Sequence, residues 1–107
     1  MSQQYQGDVG IVSLTEKPKI TFKPLTQEGL VVALGEVTGH RHVVVAEPES
    51  IVEFGQDEHG TYIVDVQKGQ ATLTHQQHAP YKLGIGIHAL PVQHEYDELQ
   101  ELRKVQD

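Results

Sequence analysis

Leu30-Val31-Val32-Ala33-Leu34-Gly35-Glu36-Val37-Thr38-Gly39-His40-Arg41-His42-Val43-Val44-Val45 is the stretch on which the reading of fold and chemistry turns. Its valines and its short apolar run, too brief for a helix, predict a central β-strand that continues with interruptions toward Val45. Gly35 and Gly39 interrupt the pattern, and glycine inside a strand marks a bulge or a close backbone approach. Alternate side chains of a strand share a face, so His40 and His42 are expected to point the same way.

Working upstream, residues 1–6 are polar and expected to fray or be disordered, and Asp8 to Leu14 reads as the first strand. Ile20 and Phe22 share one face of a short strand that Pro24 either stops or confines to an edge, and Leu25 to Gly29 is a turn. Downstream, Ala46 to Ser50 connects to a hairpin of Ile51–Phe54 and Thr61–Val66, with Gly60 as the left-handed turn residue. Lys68 to Gln70 turns the chain into Ala71–His75, and Ala79-Pro80 breaks it after His78. Tyr81 to Tyr96 supplies one or two further strands, with Leu83, Ile85 and Ile87 on one face. Asp97 is placed as an N-cap, and Leu99, Leu102 and Val105 follow at helical spacing, predicting a short C-terminal helix. Many short strands separated by turn signals indicate an all-β fold, a small barrel or jelly-roll-like sandwich in a single domain over residues 1–107.

Composition narrows the function. The chain has 107 residues, a 37% hydrophobic fraction and no Trp, which fits a thin core of Val, Ile and Leu. Eight basic residues are scattered among fifteen acidic ones for a formal charge of −7, which argues against nucleic acid as a ligand. With no Cys, a metal would be held by nitrogen and oxygen alone. No apolar run reaches bilayer length and the start lacks a signal-peptide pattern, so no membrane association and a cytoplasmic location are expected. No Gly-rich phosphate loop and no nucleophile motif is present.

Against that background the histidines stand out. His75 and His78 form a second pair in Leu73-Thr-His-Gln-Gln-His-Ala-Pro80. Should the two segments meet, His40, His42, His75 and His78 would supply a sufficient set of ligands for a transition metal ion, Zn, Ni, Fe or Mn. Glu36 is a candidate oxygen ligand. His59 reads as an exposed turn residue and His88 as a half-buried structural one on the face of Leu90, while His94 belongs to the same strand region. Glu95-Tyr96-Asp97 offers an acid or base for a metal-bound water, though such a run more often starts a helix.

Gln6-Gly-Asp-Val9, Gly35-Glu-Val-Thr-Gly-His-Arg-His42, Leu73 to Pro80 and Gln93-His-Glu-Tyr-Asp97 together resemble a family of small bacterial and phage-associated proteins without established activity. That resemblance implies an aromatic at position 88 and a basic residue at position 94 in relatives, leaving the quartet at 40, 42, 75 and 78 as the shared candidate ligands. The glycines and His-x-His are also similar to the first motif of cupins, in which a glutamate follows; Glu47 or Glu49 is only loosely placed for it. Three functions are compatible with these residues. One is a metal-binding β-domain with a structural or ligand-sensing role. Another is a cupin-like metal-dependent enzyme on a small molecule, using Glu36 or Glu95. The last is a non-catalytic assembly module of a phage or mobile element. Self-association into a homo-oligomer through sheet edges is expected in each.

Overall fold

The computed structural model describes residues 3–34 and 40–92, and among them it contains strands and turns but no α-helix. The strands are β1 (Gln3–Gln6), β2 (Val9–Leu14), β3 (Lys23–Pro24), β4 (Leu30–Leu34), β5 (Arg41–Ala46), β6 (Ile51–Gln56), β7 (Tyr62–Lys68), β8 (Ala71–Thr74), β9 (Tyr81–Leu83) and β10 (Gly86–Leu90). They form a six-stranded sheet in the order β1-β2-β10-β7-β6-β3 and a four-stranded sheet in the order β4-β5-β8-β9. Every ladder is antiparallel. Inward residues of both sheets share one core: Val9, Ile11, Val52, Val64, Val66 and Leu90 from the first, Leu30, Val32, Val44, Ala71, Leu73 and Leu83 from the second. The chain is therefore all-β, a two-layer sandwich with a core of Val and Leu. Burying each such side chain is worth roughly 1.5–3 kcal/mol.

Several expectations need correction. Residues 3–6 form a strand, pairing with β2 from Gln3 opposite Val12 to Gln6 opposite Val9. Backbone pairing needs no apolar side chains, and this edge strand leaves Gln4 in water while Gln6 is buried. Leu30–Leu34 is not central but lies at the edge of the smaller sheet, and it does not run on toward Val45. The chain reverses, and β4 pairs antiparallel with β5, with a register shift between Val31 and Ala33. Ile20-Thr21-Phe22 is not a strand, since Pro18 and Pro24 remove two ladder donors around it. Pro24 does fall in an edge strand, as the sequence suggested. Leu83 and Ile85 part company: Leu83 is fully buried in β9, whereas Ile85 is 71% exposed where the chain crosses to the other sheet. The expected C-terminal helix lies outside the described residues.

The Asp57–Thr61 hairpin turn follows its residues. The Asp57 carboxylate accepts from the amides of His59 and Thr61, both at 2.9 Å, and Gly60 takes φ +83, a region open to glycine at no steric cost. The segment Thr15–Phe22 crosses the outer face of the larger sheet. There Lys17 bridges Asp65 at 2.9 Å and Glu53 at 3.6 Å and lies over the Phe22 ring. Gly55 in β6 makes this crossing possible, because a Cβ there would stand 2.5 Å from the Thr21 carbonyl oxygen. Gly55→Ala should therefore cost about 1–3 kcal/mol of unfolding free energy. Gly84→Ala, with nothing within 4 Å of its added methyl, should change stability by about 0.5 kcal/mol or less. Urea unfolding of the two variants checks this, and equal stabilities would contradict the close packing of Thr21 on β6.

Candidate metal centre

β5 and β8 are antiparallel neighbours with Val43 opposite Thr74. Continued by one residue, that register sets His42 opposite His75, a position where cross-strand side chains approach closely. The two rings lie with centroids 4.3 Å apart, tilted by 37°. His40, which precedes β5, meets His75 edge-on at 5.5 Å. His78, in the loop between β8 and β9, lies 4.7 Å from His75 and 6.3 Å from His42, near parallel to it. A hydrogen bond from the Arg41 amide to the Gln76 side-chain oxygen, 2.8 Å, ties the loop to the start of β5. The four imidazoles named from the sequence are thus ring neighbours at one end of the sandwich.

Among the described residues no group of three or more His, Asp or Glu is arranged to hold a metal ion. Only His42 and His78 are near parallel; the other pairs are tilted or edge-on. One nitrogen in each of two rings is also engaged: Nδ1 of His42 lies 2.9 Å from Oε1 of Gln6, and Nδ1 of His75 accepts from the Gln77 amide at 3.0 Å.

Burial differs across the cluster. His42 is only 6% exposed, while His40 and His75 are half-buried and His78 is exposed. Burial, reinforced by the neighbouring His75 and His78, pushes the His42 pKa down to about 4. The His75 pKa is lowered as well, by burial and then by His78 and His40. The Asp8 carboxylate opposes both shifts.

Three participants were not foreseen: Gln6, Gly7 and Asp8, around the β1–β2 turn. Gly7 adopts φ +58, and a Cβ on it would stand 2.7 Å from Nε2 of His78 and 3.3 Å from Cε1 of His42. The missing side chain leaves room for the two rings. Gln-Gly-Asp is legible in sequence as a turn, but nothing local says that it folds over residues some 35 to 70 positions away.

The other candidates lie apart. His59 is in the exposed hairpin turn, 3.4 Å from the Glu58 carboxylate. His88 shares the inward face of β10 with Leu90; its Nε2 donates to the Gly84 carbonyl at 2.8 Å, and its Nδ1 is buried without a partner among the described residues. Glu36, His94, Glu95 and Asp97 lie outside the described residues. Glu47, loosely placed in the cupin comparison, serves the sheet instead: its carboxylate accepts from Lys82 at 2.6 Å, Thr72 at 2.7 Å and Gln70 at 2.9 Å, which draw its pKa down to about 2.

Residues 5–93 match the model of a family described as a domain of unknown function (DUF8820), and the chain belongs to that family. The matched range contains all four histidines and the β1–β2 turn. No curated protein and no solved structure matches the chain. Among the described residues no helix is long and apolar enough to cross a membrane.

A pH dependence follows from His42. Its folded pKa lies below the ordinary 6.5, so between those values the unfolded chain binds more protons and stability falls as pH falls. The contribution is complete above about pH 6.5 and lost on acidification toward pH 4, amounting to about 3 kcal/mol at most. Glu47 adds a loss in the same direction below pH 4.5. Urea unfolding of chelator-treated protein across pH 7 to 4 should show this slope, and His42→Gln should reduce it above pH 4.5, leaving the part that His75 contributes. A variant with an unchanged slope would contradict the assignment to His42.

Proposed function

We propose that this member of the DUF8820 family binds one first-row transition metal ion, zinc, nickel, iron or manganese, through His40, His42, His75 and His78. The observation that carries the reading is the mutual proximity of the four imidazoles, drawn from two segments more than 30 residues apart and held by the β5–β8 register. Such residues are otherwise expected to scatter over the surface of a chain with seven histidines.

The electrostatics favour the same reading. A metal binds neutral imidazole, and burial keeps His42 neutral to about pH 4. Asp8 brings a carboxylate to the same end, where it attracts a cation and is a candidate oxygen donor. Coordination requires the rings to turn from their stacked arrangement. His75 would bind through Nε2 only after its Nδ1 gives up the Gln77 amide, a single exposed hydrogen bond whose net worth is about 1 kcal/mol. That cost is small beside the affinity of a multi-imidazole site.

A closed shell of four histidines suits a structural role, pinning the β8–β9 loop and the start of β5 together. Three ligands plus water would leave a position for a small-molecule ligand or for chemistry. The assembly-module reading, in which the histidines only pack, is the outcome if no metal binds.

Zinc titrated into chelator-treated protein should bind at one ion per chain. At a free concentration a hundredfold above the dissociation constant it should add about 2.7 kcal/mol of stability. His40→Ala with His75→Ala should abolish uptake, whereas His59→Ala should leave it intact. Calorimetric titration and elemental analysis check both, and equal metal content in the two variants would contradict the site.

A further inference from the structure

Among the described residues the most deeply buried polar side chain is that of Gln6, at 3% exposure. Its carboxamide makes three hydrogen bonds. Nε2 donates to the carbonyl oxygen of Leu73 at 2.7 Å and to that of Ala79 at 2.8 Å. Oε1 lies 2.9 Å from Nδ1 of His42. The two carbonyls fix which end of the amide is which: both are acceptors only, so the atom facing them is the nitrogen, and it uses both of its hydrogens. The oxygen is left facing His42. An amide oxygen only accepts, so Nδ1 of His42 carries the hydrogen and the lone pair of the neutral ring stands on Nε2.

We infer that Gln6 is a positioning residue of the proposed metal centre, setting the tautomer and the ring plane of His42 so that this imidazole coordinates through Nε2. The inference rests on the metal-binding reading for its function but not for its geometry. Metal-ligating histidines ordinarily give their second N–H to an acceptor that fixes tautomer and orientation. Here the acceptor comes from the opposite sheet: β1 belongs to the six-stranded sheet and β5 to the four-stranded one. A glutamine suits the position better than the more usual carboxylate, because a carboxylate lacks the two hydrogens that Leu73 and Ala79 accept.

Gln6 would also bridge the sheets in a purely structural role, and two substitutions separate the roles. Gln6→Met keeps the length and removes both donors and the acceptor. Gln6→Glu removes the amide hydrogens yet retains an oxygen toward Nδ1, whether the carboxyl is ionised or protonated. Both variants should lose stability. Only Gln6→Met should lose zinc affinity, by about 10-fold to 100-fold, while Gln6→Glu should stay within about threefold of the parent chain.

The measurement is long-range proton–nitrogen NMR of the His42 ring in chelator-treated protein near pH 7, followed by zinc competition against a chromophoric chelator. Parent chain and Gln6→Glu should show the hydrogen on Nδ1, and Gln6→Met a mixture of tautomers. A hydrogen on Nε2 in the parent chain overturns the inference, as does equal loss of zinc affinity in both variants. If the parent shows the Nδ1 hydrogen and takes up no zinc, the metal-binding reading fails while the tautomer assignment stands. Should Gln6→Met fail to fold, the parent tautomer and the Gln6→Glu affinity decide.

Discussion

One buried glutamine holds the histidine-bearing end of this sandwich together. Gln6 belongs to the edge of the larger sheet, yet its side chain reaches Leu73 on β8, Ala79 in the following loop and His42 on β5. An unpaired amide in a core of Val and Leu would be expensive. All three of its bonds therefore have to be made at once. Satisfying them brings the end of β1, the start of β5 and the end of β8 to one place, and the turn carrying Gly7 and Asp8 comes with them.

The histidines collect there for a topological reason. Antiparallel neighbours place the start of one strand beside the end of the other, so residues just before Val43 and just after Thr74 become neighbours whatever their separation in sequence. At the opposite end of the smaller sheet the same rule yields a different product. Ala46 faces Ala71 there, and Glu47 gathers Lys82, Thr72 and Gln70 into an ion-paired network that fastens β8 and β9 to the β5–β6 connection. One end of the sheet is thus closed by a carboxylate whose Oε2 accepts three hydrogen bonds. The other is faced with the imidazoles of His40, His42, His75 and His78.

Much of this was legible in the residues. Val-rich runs with intervening turn signals give the all-β class, Asp57 to Gly60 gives its hairpin, and Pro24 gives an edge. The quartet of histidines follows from spacing, and the structure makes those rings neighbours without arranging three of them to hold a metal ion. What could not be read was tertiary. Leu30–Leu34 looks central because it is apolar, but strand order follows from pairing partners, and those are set by contacts distant in sequence. Residues 3–6 look frayed because they are polar, but the burial of Gln6 depends on hydrogen-bond partners 36 to 73 residues away, the His42 ring as donor and the Leu73 and Ala79 carbonyls as acceptors. Gly55 shows no local signal either, since its role comes from a segment crossing the sheet behind it.

The central claim is that the imidazole cluster holds a metal ion. X-ray absorption fine structure of the zinc-loaded protein addresses it most directly. The account predicts a first shell of nitrogen and oxygen at about 2.0–2.1 Å, with the outer-shell scattering of three or four imidazoles. A shell of water oxygens lacking imidazole scattering, or a protein that retains no stoichiometric zinc, would contradict it.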